Sequence, residues 1–390
     1  MKTLHQSPTD PGFVQDPYPF YEGARAAGAF FHWADYGLIC TGNAAAVNAI
    51  FRDRRFGREA VDAAPTAPHL APFYAVEAHS MLEREPPTHT RLRSLVLRAF
   101  TSRRIAALAP DIVALSHQLI DALPAEGAFD LLPSFAQKLP VIIIARLLGV
   151  PESMAPDLLA WSNAMVGMYM AGRSRAAEDR AVTATMAFTA FLRGYVDERR
   201  ASPADDLISH LIAAEQDGER LTTDELISTC ILLLNAGHEA TVHTIGNGVK
   251  TLLETGTVAS LSDPERAVEE ILRFDPALHM FTRWCYEPVE IAGHSFKRGD
   301  QVGLLLAAAN RDPQHWDGPD VFLPDRPAKP HVSFGAGLHF CVGAPLARLE
   351  LQVALPILFQ RHPMLRLAEP PRYANVYHFH GLDRLMVQPR

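Results

Sequence analysis

The sequence predicts a mainly α protein with small β-sheets, folded as one domain over residues 1–390. Apolar residues recur at helical spacing through residues 102–255, which makes helix the dominant predicted element. Short apolar segments bounded by glycine predict small hairpins on either side of that helical region. No internal repeat, low-complexity tract or long Gly/Ser linker marks a domain boundary, so the whole chain is expected to share one core.

The first predicted element is a hairpin in residues 28–42, where FFHWADYGLICTG reads as two short strands around a turn. Helices are predicted to dominate residues 102–255. Proline removes a backbone donor and restricts the preceding residue, so prolines mark the expected helix stops. These prolines are Pro124, Pro133, Pro151 and Pro203.

The longest helix is predicted to begin near Thr222 and to run to about Glu254. Thr222 and Glu225 have the spacing of a capping box, in which each side chain satisfies a backbone amide that the helix leaves free. A helix of roughly thirty residues is about 45 Å long and crosses a whole domain. Gly237 lies near its middle, where a kink or an opened hydrogen bond becomes easier.

The last third of the chain alternates between regular and irregular segments. A helix is predicted over residues 264–274, and VEIAGHSFKRGDQVGLLL after it is typical of a hairpin with glycines at the turns. Residues 311–330 are proline-rich and poorly periodic, so no element is predicted there. A final helix is predicted over residues 345–359.

Composition limits the kinds of partner. The formal charge is −8, from 36 Lys+Arg against 44 Asp+Glu, which argues against nucleic acid. The N-terminal residues have neither the apolar segment of a signal peptide nor a membrane anchor, so no membrane is expected. The four cysteines lack paired or CxxC spacing, which favours a reducing cytoplasm over a disulfide framework.

A glycine loop before the final helix holds the residue that determines the functional prediction. Cys341 lies just ahead of the helix, and the free amides of a helix N-terminus favour a thiolate over a thiol. Glycines on either side allow the backbone to approach a flat ligand closely. The loop FGAGLHFCVG, with Phe334, Gly335, Cys341 and Gly343, resembles the cysteine-ligand loop F-x-x-G-x-x-x-C-x-G of the cytochrome P450 family. Read alone, Cys341 could instead be a buried structural cysteine.

Two further segments resemble that family in order and spacing. Glu270 and Arg273 match its helical E-x-x-R, and Arg326 in FLPDR lies where the family has the third member of this ion-pair network. His89 and Arg93 match H-x-x-x-R, whose side chains contact the haem propionates in the family. Arg283 and His339 occupy the other two propionate positions. For each pair, the alternative is an ordinary surface pair or surface cation.

The long helix resembles the family's oxygen-binding motif A-G-x-[DE]-T, except at one position. Gly237 and the acid Glu239 are present, but Ala240 replaces the threonine whose hydroxyl helps to hold a proton-delivering water in the family. Thr241 follows directly, yet it points about 100° away around the helix. We hypothesise that a water chain or a hydroxyl of the substrate replaces the missing hydrogen bond. Alternatively, Ala240 only makes room for a bulky substrate.

The resemblance implies a bacterial-type haem-thiolate monooxygenase in the cytoplasm, with the cytochrome P450 fold and haem b held by Cys341. It would use dioxygen to oxidise a hydrophobic small molecule. The chain has no reductase module, flavin or iron–sulfur cluster of its own, so a separate ferredoxin or flavodoxin and its NAD(P)H reductase would supply electrons. A peroxide-driven oxygenase is the rival enzyme, although neither Ala236 nor Ala240 offers the charged anchor it needs. A catalytically silent haem sensor or interaction protein is the rival outside enzymes.

The resemblance also suggests which residues contact the substrate and the electron donor. Substrate contacts are expected from residues 161–170 and from Phe73, Tyr74, Asn235, Ala236, Leu278, Phe281 and Phe379. Residues 88–105 contain five arginines and no acid, on the helix that faces the electron donor in the family. The candidates for donor docking are Arg98, Arg103, Arg104 and Arg348, although these cations could equally be solvated helix faces.

Overall fold

The computed structural model describes residues 1–63, 65–170, 173–214 and 218–389. Helices dominate the described residues and strands are short, which confirms the predicted fold class. The α-helices are α1 (Pro11–Gln15), α2 (Tyr18–Ala27), α3 (Ala44–Arg52), α4 (Ala71–Glu77), α5 (Thr88–Ala99), α6 (Ser102–Ala107), α7 (Ala109–Asp121), α8 (Lys138–Leu148), α9 (Ala155–Val166), α10 (Arg175–Ala201), α11 (Leu207–Ala213), α12 (Thr223–Thr255), α13 (Pro264–Phe274), α14 (Leu306–Ala309) and α15 (Ala344–Arg361).

The strands form one larger sheet and three small ones. They are β1 (Lys2–Leu4), β2 (Phe31–Trp33), β3 (Leu38–Thr41), β4 (Phe56–Gly57), β5 (Phe129–Asp130), β6 (Met280–Cys285), β7 (Val289–Ile291), β8 (His294–Phe296), β9 (Gln301–Leu305), β10 (Arg366–Leu367), β11 (Arg372–Tyr373), β12 (Leu382–Arg384) and β13 (Met386–Gln388). The six-stranded sheet has the order β1-β2-β3-β9-β6-β4, so strands from the first 57 residues pair with strands from residues 280–305. The smaller sheets are β10-β13-β5, β11-β12 and β7-β8.

The long predicted helix is confirmed as α12, a continuous helix with no break at Gly237. Thr222 and Glu225 form both halves of the capping box, and Gly256 ends the helix in the left-handed conformation at φ 67°. Gly237 instead allows close packing, because a Cβ there would lie 2.7 Å from Cδ1 of Ile144 on α8. Helices α8, α9, α10, α13 and α15 pack around α12, which places it in the main hydrophobic core.

Most other predicted elements are confirmed. The hairpin in residues 28–42 is β2 and β3, and the helix predicted over residues 264–274 has the bounds of α13. The prediction of one hairpin after α13 is partly wrong. Strands β7 and β8 pair with each other, but β9 pairs in parallel with β3 and antiparallel with β6. Pro133 is not a stop either, since it lies inside a π-helix at Leu132–Ala136.

Candidate active site

The loop before α15 places Cys341 against a cavity of about 640 Å³. Gly335 and Gly337 both adopt positive φ, and a Cβ on Gly337 would lie 2.1 Å from the carbonyl oxygen of Phe51. The loop can therefore turn tightly against the end of α3 only with glycine there. The Cys341 amide donates to the carbonyl of Phe334 at 3.0 Å, which closes the turn below the sulfur.

The electrostatic surroundings of Cys341 differ in one respect from the prediction. Burial raises the pKa of the Cys341 thiol, and the backbone amides of Gly343 and Ala344 and the charge of Arg93 only partly oppose this. The helix N-terminus therefore acts in the predicted direction, but desolvation of the thiolate outweighs it in the chain by itself.

Helix α12 forms a second part of the cavity wall, besides the cysteine loop. Many residues predicted for the site line this one space, from both the loop and the helix. They are His89, Arg93, Asn235, Ala236, Gly237, Ala240, Thr241, Leu278, Phe281, Phe334, His339, Cys341, Gly343 and Phe379. The wall is mostly apolar, as expected for a pocket that binds an apolar small molecule.

Two predicted aromatic contacts lie elsewhere. Phe73 is 2% exposed and belongs to the hydrophobic core, and Tyr74 is 39% exposed on the same helix, so neither lines the cavity. From the segment before His89, Met81 and Leu82 line the cavity instead. Of residues 161–170, those that line it are Val166, Tyr169 and Met170.

His89, Arg93 and His339 lie together at one side of the cavity. The His89 and His339 rings are 4.3 Å apart between centroids, and His339 Nε2 is 2.8 Å from Oε1 of Glu85. Nδ1 of His89 is buried with no hydrogen-bond partner among the described residues. Burial, with the nearby charges of His339 and Arg93, lowers the pKa of His89 to about 4. Arg93 donates to the carbonyl of Phe340 at 2.7 Å.

Arg283 lies beside this group, but its side chain does not line the cavity. It is 2% exposed, donates to the carbonyl of Thr282 at 2.8 Å and packs over the ring of Phe51. Burial lowers its pKa to about 9, and the neighbouring Arg58 contributes. Arg58, which was not predicted, lines the cavity and pairs with Glu83. Its local sequence gives no signal, because the pairing depends on how β4 packs against a distant loop.

Glu270, Arg273 and Arg326 are brought together in the core. Glu270 and Arg273 form two hydrogen bonds of 2.7 Å and are only 4% and 1% exposed. Nε of Arg326 lies 3.4 Å from Glu270 Oε2, and Arg273 also donates to the carbonyls of Asn310, Pro319 and Val321. This network joins α13 to the irregular segment of residues 311–330, which leads into the cysteine loop.

The acid of the α12 motif does not line the cavity. Glu239 lies beside two histidines, with His243 Nε2 at 3.3 Å from Oε1 and His238 Nδ1 at 3.7 Å from Oε2. Burial raises the pKa of Glu239, but the hydrogen bond with His243 and the charge of His238 outweigh it, so the net shift is downward. Glu239 is therefore held as a carboxylate behind the cavity wall.

Two threonine hydroxyls lie near Ala240, and one of them was missed by the sequence analysis. Thr241 donates to the carbonyl of Gly237 at 2.9 Å, and Thr244 donates to that of Ala240 at 2.7 Å. Both threonines line the cavity. Thr244 could have been found from helical spacing, because residues four apart share one face of a helix.

The arginines predicted to contact the electron donor differ in their surroundings. Arg98 on α5 and Arg103 on α6 are exposed, and Arg104 is half-buried. Arg348 is bound to Glu269 through hydrogen bonds of 2.5 and 3.0 Å, and it packs over the ring of Phe334.

Two further findings concern the chain as a whole. Among the described residues, none of the helices combines the length and apolar character that crossing a bilayer requires. All four cysteines are free, and three of them are buried away from the cavity.

Comparison with known proteins identifies relatives of this architecture. The family model described as "Cytochrome P450" matches residues 264–372. The chain is 40% identical over 316 residues to "Polyketide biosynthesis cytochrome P450 PksS" of Bacillus subtilis (strain 168), covering 79% of this chain and 77% of that protein. It is 35% identical over 396 residues to "Biotin biosynthesis cytochrome P450" of the same strain, covering 99% of both. The solved structure of epothilone D-bound cytochrome P450epoK has a TM-score of 0.92 at 29% identity, with 99% of each chain covered.

Proposed function

Since the chain belongs to the cytochrome P450 family and is a haem-dependent monooxygenase, we propose that it oxidises a bulky hydrophobic small molecule with electrons from a separate ferredoxin or flavodoxin and its NAD(P)H reductase. One observation carries this proposal. One largely apolar cavity of about 640 Å³ is lined by Cys341 and also by Ala236, Gly237 and Ala240 of α12. That volume lies near the middle of the usual range for small-molecule sites.

The residues around the cavity fit a haem b group. The Cys341 sulfur borders the cavity, and the buried Nδ1 of His89 lacks a partner that a haem propionate would provide. Cys341 would ligate the iron, and His89, Arg93 and His339 would hold propionates. Arg283 would join them only if its side chain moved out of its packing on Phe51. When bound, a thiolate-ligated haem supplies the activation of dioxygen and the cleavage of its O–O bond.

Proton delivery is assigned to Glu239 with Thr244. Glu239 lies behind the wall and is hydrogen-bonded to His243, so a proton would reach the cavity from it through water. Thr244 uses its only donor on the carbonyl of Ala240 and keeps its lone pairs to accept a hydrogen bond from such a water. Coupling of NAD(P)H use to product in Ala240→Thr tests whether a hydroxyl at position 240 would still contribute, and unchanged coupling with every substrate would exclude such a contribution.

The substrate is expected to carry one hydrogen-bond donor on an otherwise apolar body. Asn235 lines the cavity, and its Oδ1 is buried without a hydrogen-bond partner among the described residues. An unpaired buried amide oxygen is costly, so a substrate hydroxyl or amide at this position would gain affinity. Two relatives are consistent with a bulky substrate, since one is named for polyketide biosynthesis and one binds epothilone D.

The donor is proposed to dock on the face that carries Arg98, Arg103 and Arg104. Helix α6 packs on α15, whose N-terminus follows Cys341, so this face lies on the cysteine side of the cavity. Arg348 is a weaker candidate, because Glu269 already neutralises it. The cytoplasmic location stays a prediction.

The decisive experiment is the absorption spectrum of the dithionite-reduced protein with carbon monoxide, recorded for wild type and for Cys341→Ser. A strongly red-shifted Soret band that disappears in Cys341→Ser is expected for thiolate ligation. A band unaffected by the substitution would overturn the assignment of Cys341. Turnover with a reconstituted ferredoxin and reductase, compared with turnover driven by peroxide, then tests the proposed electron source.

A further inference from the structure

A buried group of two histidines and one aspartate lies directly behind the wall of the cavity. Leu278 and Phe379 form an isolated antiparallel bridge, and both line the cavity. Successive side chains of an extended chain point to opposite faces. Their neighbours His279 and His380 therefore point away from the cavity, where their rings are 4.1 Å apart between centroids.

Asp275, which follows α13, completes the group. One ligand atom from each of Asp275, His279 and His380 lies within 4.8 Å of the other two. All three residues are at most 3% exposed. His380 Nε2 and Asp275 Oδ1 are 3.8 Å apart, which is too far for a hydrogen bond. These atoms converge on a common point without bonding to one another.

The converging atoms lack partners of their own. Asp275 Oδ1 and His279 Nε2 are both buried with no hydrogen-bond partner among the described residues. A buried carboxylate oxygen and a buried imidazole nitrogen left unpaired cost free energy, and native structures rarely leave them so. Two unpaired atoms in a group that also contains a second imidazole therefore indicate a ligand that the chain binds at this point.

Two other side-chain atoms of the group and two of its backbone carbonyls are held by neighbours. His279 Nδ1 is 2.9 Å from the hydroxyl of Tyr21, and the Tyr373 hydroxyl donates to Asp275 Oδ2. Nδ2 of Asn247 donates to the backbone carbonyls of Asp275 and His380, at 3.3 and 2.9 Å. Contacts of this kind orient the ligands of metal sites in proteins.

The nearest cations have carboxylates of their own. Lys250 Nζ is 2.9 Å from Glu254 Oε2 and 4.0 Å from Asp275 Oδ2, the oxygen that does not face the histidines. Nη1 of Arg311 lies 3.7 Å from Oδ1 of Asp320. Asp275 Oδ1 is therefore left to balance a cation placed between it and the two rings.

We propose that Asp275, His279 and His380 bind a zinc ion that stabilises the cavity wall from the side facing away from the cavity. Two imidazole nitrogens and one carboxylate oxygen suit Zn²⁺ rather than Mg²⁺ or Ca²⁺, which prefer oxygen ligands. The ion would tie residues 275–279 to residue 380 and so fix the bridge between Leu278 and Phe379. Because the group is fully enclosed, the zinc would be incorporated during folding.

The test is the zinc content of the full-length holoprotein, produced in zinc-supplemented medium and measured by mass spectrometry against protein and haem iron. One zinc ion per chain is expected for wild type. His380→Gln and Asp275→Asn should both lose it, and the carbon monoxide spectrum checks that each variant still folds around haem. His294→Gln is the matched control, since His294 Nε2 is also buried and unpaired but lies outside the group. This control should keep the zinc.

X-ray absorption at the zinc edge supplies an independent readout. Two nitrogen ligands at about 2.0–2.1 Å are expected in wild type and not in either variant. Zinc that persists in His380→Gln and Asp275→Asn would lie elsewhere and would overturn the proposal. A wild-type protein without zinc would also overturn it, and the three side chains would then be only a buried polar cluster.

Discussion

Neutralising Glu270 should destabilise the protein far more than the same substitution elsewhere on α13. Glu270 is 4% exposed and accepts two hydrogen bonds of 2.7 Å from the 1% exposed Arg273 and one of 2.8 Å from the amide of Leu323. Glu270→Gln preserves size but leaves a buried guanidinium without its counter-charge. Removing one partner of a buried ion pair typically costs about 3–5 kcal/mol.

The expected shift in melting temperature follows from chain length. The entropy of unfolding is about 2.1 cal/mol/K per residue, or about 0.8 kcal/mol/K for this chain of 390 residues. A loss of about 3–5 kcal/mol should therefore lower the melting temperature by about 4–6 °C. Glu265→Gln is the matched control, because Glu265 is exposed in the first turn of the same helix. There, only a favourable helix-dipole interaction of about 0.3–1 kcal/mol is lost.

The assay is calorimetry of the holoproteins at one fixed scan rate, because large proteins often unfold irreversibly and their apparent melting temperatures then depend on the rate. Loss of the Soret band on heating gives a second readout that follows haem retention. Melting temperatures of Glu270→Gln and Glu265→Gln within about 1 °C of each other would contradict a stabilising role for the ion pair. The hydrogen bonds from Arg273 to three backbone carbonyls would then be enough to hold its side chain in place.

Three other predictions test the site and its surroundings. Thr244→Val should lower the product formed per NAD(P)H several-fold, whereas Thr255→Val, which removes the same kind of hydroxyl-to-carbonyl bond farther along α12, should leave coupling unchanged. Reversing Arg103 and Arg104 to glutamate should weaken donor binding and flatten its dependence on ionic strength in titrations. Burial raises the pKa of Glu77 from 4.5 to about 7. Ionisation of Glu77 therefore destabilises the folded state as pH rises from about 4.5 to about 7. Glu77→Gln should therefore increase the free energy of unfolding by up to about 3 kcal/mol at pH 8 and by almost nothing at pH 4.

Each of these predictions has an outcome that would contradict it. Equal coupling in the two threonine variants would remove Thr244 from proton delivery. Donor binding with an unchanged salt dependence would place the docking face elsewhere. The double reversal of Arg175 and Arg180 to glutamate, both exposed on α10, controls for the same change in net charge. A difference between wild type and Glu77→Gln that does not grow between pH 4 and pH 8 would mean that Glu77 titrates normally in the folded protein.

Elements with strong local signals were predicted well. The capping box at Thr222 and the Asp-Pro start of α13 identify helix N-termini from neighbouring residues alone, and the structure has both. The pairing of β9 was missed, because a strand's partners depend on contacts with distant segments such as β3. Arg58 was missed for the same reason, since its cavity position depends on ion pairing with a loop 25 residues away.

The cavity face of α12 keeps a hydroxyl although Ala240 has none, and helical spacing explains why. Thr244 lies one turn farther on, so its side chain follows that of Ala240 along the same face. Its hydroxyl has a single proton, and that proton is committed to the Ala240 carbonyl. Only its lone pairs remain, so Thr244 can receive a hydrogen bond but cannot give one. A water bound there must donate one hydrogen to the Thr244 hydroxyl. The water's second hydrogen and its lone pairs then remain available for hydrogen bonds inside the cavity. The chain therefore keeps a hydroxyl on this wall despite Ala240, and that hydroxyl can accept a hydrogen bond from a water but cannot donate one to it.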